Sequence, residues 1–538
     1  MKETIIILGA GVMQGPAIKI AEELGFYTVA LDGNANAPCV SMADRFEQID
    51  LKDRISIETL ARELQGNCSR LGIMTAGTDF SASVAWVCEK LNLPGIPYEA
   101  ALNASDKSRM RACFRRNGLP SPDFFTITED NTFDTIPLPL PLVIKPVDNM
   151  GGRGCRRINT AEEFPEASRE AIKHSRSGRA IIECFMDGPE FSVDAIVYHG
   201  EITICGLADR HIFFPPFFIE MGHTMPTVIE EEKQKAILDT FCEGIRALGI
   251  AGKENISAAK GDIKLTAKGP MIGEIAARLS GGYMSGWTYP YSSGVLPIKA
   301  AILAAMGRKP EQLIPEKKWT CSERAFISIP GTVKTIKGSE QAKEIPYVND
   351  LFLLVKEGGK VSFPENNVSK CGNIIASAPD RASAINACET ASRSILIRLE
   401  PLNSDTSEFL KQTHKRKETS FFPPDAFVLT EKLSEDLAHL PEFDIPDAKP
   451  DSPCIFPFPA FTSSDIKDYM GRTIDETLEA ARLLTGFSLP LAGKNAENNV
   501  ILGKSFWAAL VRGGYQGAVY YIDNLGAGSD SKQQKRQT

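Results

Sequence analysis

The sequence has no CxxC pair, no HxxxH and no other metal-ligand spacing; its six histidines and twelve cysteines stand singly. That speaks against a zinc site. Long apolar runs are absent too. The best stretch, residues 295–306, is short and carries Lys299, well below the roughly 18 apolar residues of a membrane span. Positive charge is not in excess, since 60 basic against 68 acidic residues leave a net charge of −8. Broad nucleic-acid binding needs a basic face, so that class is set aside, although a local basic cleft remains open. No internal repeat is found. No GK[ST] follows the glycines at 151–154, so that loop is not a P-loop. The N-terminal run TIIIL is too short for the core of a signal peptide and reads as a strand. The cysteines are therefore expected to be reduced thiols of a cytoplasmic protein.

What is present is an ordinary globular composition, 43% apolar and 24% charged over 538 residues, enough for about three to five domains. Strands are expected at 4–8, 26–32 and 71–76, and helices at 15–24, 55–66 and 80–91. Alternation at this spacing predicts an α/β, doubly wound parallel sheet. The first strand enters a turn with Gly9, Gly11 and Gly15, one residue longer than the dinucleotide fingerprint, and Asp32 ends the second strand. Both features allow a nicotinamide site. Ser105 is expected to cap a helix that Gly118 and Pro120 end. Short strands dominate 124–208, a helix is expected over 229–248, and strands return over 250–275. Residues 321–400 alternate short β runs with one helix. SDTSEFLKQTHKRKETS, 404–420, reads as a linker. Helical pieces are expected within 465–486 and around 501–512, and the C-terminal end reads as disordered. Phe456, Phe458, Phe461 and Trp507 suggest that this last region packs somewhere, with a cap over the substrate site and an oligomer contact both open. The run IFFPPFF, 212–218, suits either an apolar substrate pocket or a buried loop.

Three segments carry chemistry. In PLVIKPVDNMGGRG, 141–154, a strand ends at Lys145 and a loop follows with Gly151, Gly152 and Gly154. Glycines let backbone N–H groups approach phosphate oxygens, and Lys145 and Arg153 add charge; a tight turn is the plainer alternative. In AIIECFMDGPEFSVDAIV, 180–197, one strand ends on Glu183 and the next begins at Glu190. Such a pair suits an adenine edge read by backbone groups and a ribose bound by the second carboxylate, or else two surface glutamates flanking a turn. In GDIKLTAKGPMIGEIAARLSGG, 261–282, Asp262 and Glu274 lie on two strands joined by a TAKGP turn. Paired in register, the two carboxylates fall near one end of the hairpin. Beside a triphosphate each like-charge pair costs roughly 4 kcal/mol at about 4 Å. A hard divalent cation between them reverses that sign, and Mg²⁺ is the natural choice. Arg278, next to the flexible SGG, suits charge developing on a transferring phosphoryl or acyl group.

Taken in order with DKSRMR (106–111) and IEMGHTMP (219–226), these segments resemble the ATP-grasp superfamily over roughly residues 1–400. They are most similar to the branch of carboxylate–amine ligases that includes the bacterial L-amino-acid (dipeptide) ligases, and are also similar to the ATP-grasp domains of biotin carboxylase and carbamoyl-phosphate synthase. EIAAR and the 323–390 region, with GTVKTIKG, VKEGGKVSFPENN and CGNIIASAPDRASAI, carry the likeness to that branch.

The resemblance implies an α/β fold, α+β in its ATP-grasp part. A Rossmann-like domain would span 1–104 and an ATP-grasp domain 105–310, with its lid at about 120–185. A small α+β C-terminal ligase subdomain would span 311–402. A linker (403–424), an extension of unassigned role (425–524) and a disordered tail (525–538) would follow. The implied activity is ATP-dependent joining of a small carboxylate, an amino acid or similar acid, to an amine through an acyl phosphate, with ADP and phosphate released. Lys107 and Lys145 match the lysines on the ATP phosphates, and the loop with Gly151, Gly152, Arg153 and Gly154 matches the lid over them. Glu183, with the backbone of Cys184 and Phe185, matches the adenine hinge, and Glu190 the ribose acid. Asp262 and Glu274 match ligands of Mg²⁺ or Mn²⁺. Arg278 matches the arginine at the phosphoryl group. Glu220 and His223 match a substrate-facing segment, His223 with a catalytic role, and Gly11 would meet an anionic group of the substrate. The expected partners are small molecules, with neither nucleic acid nor membrane; a homodimer is compatible with the sequence.

Two residues depart from the pattern. Ala276 stands where most of the superfamily has a metal-ligating Asn, and Asp262 replaces the commoner Glu. The alternatives are a degenerate nucleotide-binding protein, a biotin-carboxylase or purine-pathway type ligase, and, from the opening glycine turn, a nicotinamide-dependent oxidoreductase.

Overall fold

Alternate residues of β1 (Glu3–Leu8) feed two different cores. Ile5 and Ile7 join Ala17, Ile18 and Ala21 of α1 (Gly15–Glu23). Ile6 and Leu8 join Ile57 and Leu60 of α2 (Arg54–Asn67) and Val87 and Leu91 of α3 (Ser81–Leu91). This period-2 division of an apolar strand puts helices on both faces of a parallel sheet. The sheet also contains β2 (Tyr27–Asp32), β3 (Arg45–Gln48) and β4 (Arg70–Thr75), in the order β3-β2-β1-β4. The expected doubly wound arrangement is present. β3 is additional: an edge strand of four residues with none fully buried has no apolar pattern to announce it.

The computed structural model describes residues 2–130, 136, 138–412, 422–443, 454–462, 464–486, 489 and 501–534. The chain divides into two units. The first comprises Met1–Phe213, Glu220–Glu323 and Ile375–Ile385.

After α4 (Tyr98–Ser105) and α5 (Lys107–Arg116), the first unit builds a four-stranded antiparallel layer in the order β5-β8-β6-β7. Its strands are β5 (Phe124–Thr128), β6 (Leu142–Pro146), β7 (Arg156–Ile158) and β8 (Arg179–Cys184). α6 (Phe164–His174) interrupts these strands and lays Phe164, Ala167 and Ala171 on them. A larger antiparallel sheet follows: β9 (Glu190–Tyr198), β10 (Glu201–Phe213), β11 (Ile219–Met225), β12 (Ile256–Thr266) and β13 (Gly269–Ala276). Between β11 and β12 runs α7 (Glu231–Ala247), close to the expected helix. One face of this sheet packs on Phe114 of α5 and Phe241 and Ile245 of α7 through Phe191, Val193, Ala195, Ala259 and Ile263. The residues between these, Glu190, Ser192, Asp194, Lys260 and Asp262, stay outside that core.

The second unit comprises Phe214–Ile219, Arg324–Ile374 and Asn386–Thr538. An antiparallel sheet of Gly331–Lys337, Lys360–Val361 and Leu396–Leu399 lies in it. The region beyond 425 has a core of Phe427, Phe458, Phe461, Phe506, Trp507 and Leu510 that includes Leu396, so it packs on the ligase-like strands. Phe214 stacks edge-on against Phe363 (5.1 Å between ring centres) and Phe217 against Phe422 (4.6 Å), which makes this half of IFFPPFF a packed loop.

Two readings of irregular structure need correction. Within the stretch read as a linker, Ser404–Lys411 is helical: Asn403 caps it and Thr406 and Phe409 are buried, and these two lone contacts were masked by the polar residues around them. Residues 413–421 lie outside the described residues. Of the tail read as disordered, 525–534 is helical, in a run from Lys504 broken at Gly514 by a positive φ (60°), and 535–538 lie outside the described residues. The expected helix in 465–486 covers Ile474–Thr485. Among the described residues no helix is long and apolar enough to cross a membrane.

Candidate active site

The hairpin β12–β13 places Asp262 directly opposite Glu274. The register slips at this point, leaving Gly273 without a partner. That bulge lets Ile272 and Ile275 both enter the core and leaves Glu274 outside it. A Cβ at 273 would stand 2.9 Å from the Asp262 carbonyl oxygen, so the close approach requires glycine. On the neighbouring strand β9, Lys264 pairs with Glu190, Asp262 with Ser192 and Lys260 with Asp194. One face of the sheet thus carries a grid of charged groups.

Arg210 of β10 lies in the middle of that grid. Its guanidinium bonds Glu190, lies 2.7 Å from Glu220 and stands 3.0 Å from Asp262. Burial works against its charge, but Asp262, Glu220 and Glu190 outweigh that and hold it protonated more firmly than a free arginine. Asp262 also accepts from Ser192 Oγ (2.9 Å) and bonds Lys260. Burial would raise its carboxyl, yet Arg210 and Lys260 bring it below the ordinary range. Glu274 lies 3.6 Å from Lys107 Nζ. Burial is again the largest influence, but Lys107, Lys260, Lys145 and Arg278 together hold this carboxyl at about 2.

Glu183 and Lys145 form a second cluster. Arg111, fully buried, donates from Nε to Glu183 Oε1 (2.8 Å) and from Nη2 to the Gly273 carbonyl (2.6 Å). Lys145 Nζ lies 2.7 Å from Glu183 Oε2. Burial would raise the Glu183 carboxyl, but Arg111 and Lys145 hold it at about 2. The Glu183 side chain therefore faces inward and fixes Lys145. The Cys184 and Phe185 N–H groups donate to the carbonyls of Asp123 and Pro141, both at 3.0 Å. Any adenine contact from these two residues falls to their carbonyl oxygens.

The loop after β6 has Gly151, Gly152 and Gly154 at φ of 71°, 76° and 67°, a run of left-handed backbone open to glycine. Lys107 Nζ donates to Asn149 O (2.9 Å), and Asn149 Nδ2 to His174 O (2.7 Å), which anchors the loop over the sheet. Arg153 Nε closes it on Met150 O (3.2 Å). Arg278 is buried; its Nη1 donates to Leu279 O (3.0 Å), while its Nε is buried with no partner among the described residues. A buried N–H left unpaired costs about 1–3 kcal/mol, so this nitrogen is suited to a ligand. Arg278 also borders a cavity of about 60 Å³ with Ser81, Ile96 and Ser257. His223 is buried between two acids, with Nδ1 3.2 Å from Glu323 Oε2 and Nε2 3.7 Å from Glu220 Oε2.

Residues 138–285 match the family described as ATP-grasp domain, and residues 325–400 match L-amino acid ligase C-terminal domain 2. The chain therefore carries an ATP-grasp domain followed by an L-amino acid ligase C-terminal domain. Over 347 residues the chain is 28% identical to the protein y4rH of Sinorhizobium fredii, covering 62% of the chain and 70% of that relative. It is 29% identical over 237 residues to the alanine–anticapsin ligase of Bacillus subtilis, covering 39% of the chain and 49% of the ligase. The chain thus spans about half the length of that ligase. A solved L-amino acid ligase from Bacillus licheniformis shares the fold, with a TM-score of 0.63 and 23% identity, over 74% of this chain and 100% of that one.

The opening glycine turn has a different task from cofactor binding. Gly9 N–H donates to Leu31 O (2.7 Å), Ala10 N–H to Asp32 Oδ2 (2.9 Å) and Gly11 N–H to Gln14 Oε1 (3.0 Å). Gln14 Nε2 bonds the Ala76 carbonyl, and Ala76 pairs with Leu279, next to Arg278. The turn braces the Arg278 segment. Gly11 has already donated its N–H, and Asp32, which a nicotinamide site would use on ribose, holds the turn itself.

For a divalent cation the fit is limited. Asp262 and Glu274 are ionised oxygen donors of the right kind, but Ala276 adds none. Among the described residues no group of three His, Cys, Asp or Glu side chains has metal-holding geometry. The residues fit one cation shared with phosphate oxygens.

Four residues of this site were not singled out in the sequence. Arg111 lies one turn beyond Lys107 on α5, a signal that helical spacing offers. Lys260 precedes Asp262 by two on the same strand face. Arg210 and Glu323 gave no local signal, because strand pairing and a distant strand (Thr320–Phe326) bring them in.

Proposed function

We propose that this chain joins an amino acid or similar small carboxylic acid to an amine, driven by ATP through an acyl phosphate. The observation that carries the reading is the convergence of Lys107, Lys145, Glu274 and the partnerless Nε of Arg278 beneath a glycine loop. Lys107 and Lys145 take up phosphate charge, the 148–154 loop covers the phosphates and keeps water out, and Glu190 meets the ribose hydroxyls. A carboxylate oxygen of the acid attacks the γ-phosphorus and the bond to ADP breaks. Arg278, whose Nε–H has no partner among the described residues, would donate to the charge that develops in this step. The amine nitrogen then attacks the carbonyl carbon, the C–O bond to phosphate breaks, and the amine gives up a proton. His223, held by Glu323, would receive that proton at Nε2, and Glu220 would hold the ammonium group of a substrate. Asp262 and Glu274 would hold Mg²⁺ or Mn²⁺, which when bound offsets the charge of the triphosphate.

The test is phosphate release from ATP over a matrix of amino-acid pairs. Release that requires both an acid and an amine, with stoichiometric amide, supports the reading. ATP binding with no release from any pair overturns it in favour of a nucleotide-binding protein without turnover, a reading that Ala276 favours.

A further inference from the structure

We propose that Lys260 is a built-in cation of this site, standing where a second divalent ion would otherwise offset the charge of nucleotide and acids, so that the site takes one metal ion per nucleotide. The inference rests on the reading of Asp262 and Glu274 as ligands of a cation.

The strand register makes the case. Lys260 and Ala276 are direct partners across the β12–β13 ladder, two pairs along from Asp262 and Glu274 and so on the same face. Direct partners on antiparallel strands have Cβ atoms about 5 Å apart. Alanine at 276 contributes no oxygen and leaves room for the long side chain opposite. Lys260 uses that room: its Nζ bonds Asp262 Oδ2, the same oxygen that Arg210 Nη1 approaches at 3.0 Å. On its other side Lys260 pairs with Asp194 of β9, a buried carboxylate that accepts the Ser280 N–H (3.2 Å) and bonds its hydroxyl. Its side chain is 13% exposed. The ammonium is thus held among Asp194, Asp262 and Glu274 by strand pairing.

An ammonium has three donors and no acceptor, so it neutralises a carboxylate without offering a ligand. Two acids and a triphosphate carry more negative charge than one divalent ion offsets, and Lys260 supplies part of the remainder. Because it bonds Asp262, it also repels a further cation from that carboxylate.

The test counts Mn²⁺ bound to the full chain with a non-hydrolysable ATP analogue, by equilibrium dialysis with electron paramagnetic resonance of the free ion. The wild-type protein is expected to bind one Mn²⁺ per analogue, and the double variant Lys260→Met with Ala276→Asn two. Two ions in the wild type overturn the proposal, and this arm needs no variant to fold. One ion in a double variant that still binds the analogue also overturns it. Glu274→Gln separates the underlying reading: there Mn²⁺ affinity should fall about tenfold or more. An unchanged affinity removes the metal assignment itself and the proposal with it, whereas two ions in the wild type with a sensitive Glu274→Gln defeats the proposal alone.

Discussion

Arg210 Nη1 lies 3.0 Å from Asp262 Oδ2 while the same guanidinium bonds Glu190 and Glu220. One buried cation therefore fixes the acids read as metal ligand, ribose contact and substrate contact. Its removal leaves three carboxylates near one another with an uncompensated buried charge, which costs about 3–5 kcal/mol. Arg210→Ala should lose that much stability in chemical denaturation. Arg210→Lys, a point charge in place of a fork, should fall between the two. A loss below about 1 kcal/mol for the alanine variant would show that the acids do not depend on this hub.

Glu183 gives a pH signature. Its carboxyl titrates at about 2 in the folded chain against an ordinary 4.5. A depressed acid contributes stability that is full above the unfolded value and is lost as pH falls through the folded one. The window is therefore about pH 4.5 down to 2, and its size is on the order of 3 kcal/mol. Urea titrations at stepped pH should show a steeper loss for the wild type than for Glu183→Gln across that window. Parallel slopes would refute the assignment.

Much of this site was legible because its residues sit on strand ends and in glycine loops whose local pattern has a chemical meaning: Lys145, Gly151, Gly152, Gly154, Asp262 and Glu274. The parallel sheet was legible because Ile5 to Leu8 are buried on both faces and read as one apolar run. Arg210 was not, because its importance comes from three partners 10, 20 and 52 residues away that only the β9–β10–β12 pairing collects. Glu323 is 100 residues from His223 for the same reason. β3 and the Ser404–Lys411 helix bury too little to leave a pattern. Gly11 illustrates the converse: a motif with a strong local meaning, whose N–H is taken by Gln14 three residues on.

The glycine loop makes a kinetic prediction. At Gly154, φ is +67° and an added Cβ would stand 2.8 Å from the Cβ of His174, so alanine is strained in two ways. Strain of this kind is worth about 1–3 kcal/mol. Gly154→Ala should lower stability without nucleotide by about that much and, where the loop shifts to relieve the strain, raise the KM for ATP by roughly tenfold to a hundredfold. Gly178→Ala is a matched control, since φ there is +67° with nothing within 4 Å, and it should leave the KM for ATP unchanged.

The region beyond 425 makes the last prediction. Trp507 is fully buried, its ring lies 5.5 Å from Phe458 and 5.9 Å from Phe461, and its Nε1–H donates to Phe456 O (2.8 Å). Trp507→Ala should therefore cost about 3–5 kcal/mol. The loss should not stay local. Beyond Gly514 the same helical run gives Tyr515 OH to accept from Ile397 N–H (2.9 Å) and Gln516 Oε1 to accept from Ile329 N–H (3.1 Å). These are backbone amides of the ligase-like segment 325–400, so that segment leans on the extension for its own hydrogen bonds. Native-state hydrogen exchange should show faster exchange at Ile329 and Ile397 in Trp507→Ala, in step with the loss of stability. Gln516→Leu should speed exchange at Ile329 while Trp507 stays protected from solvent quenching. Unchanged exchange at both amides in Trp507→Ala would mean that the 325–400 segment holds itself together without the extension.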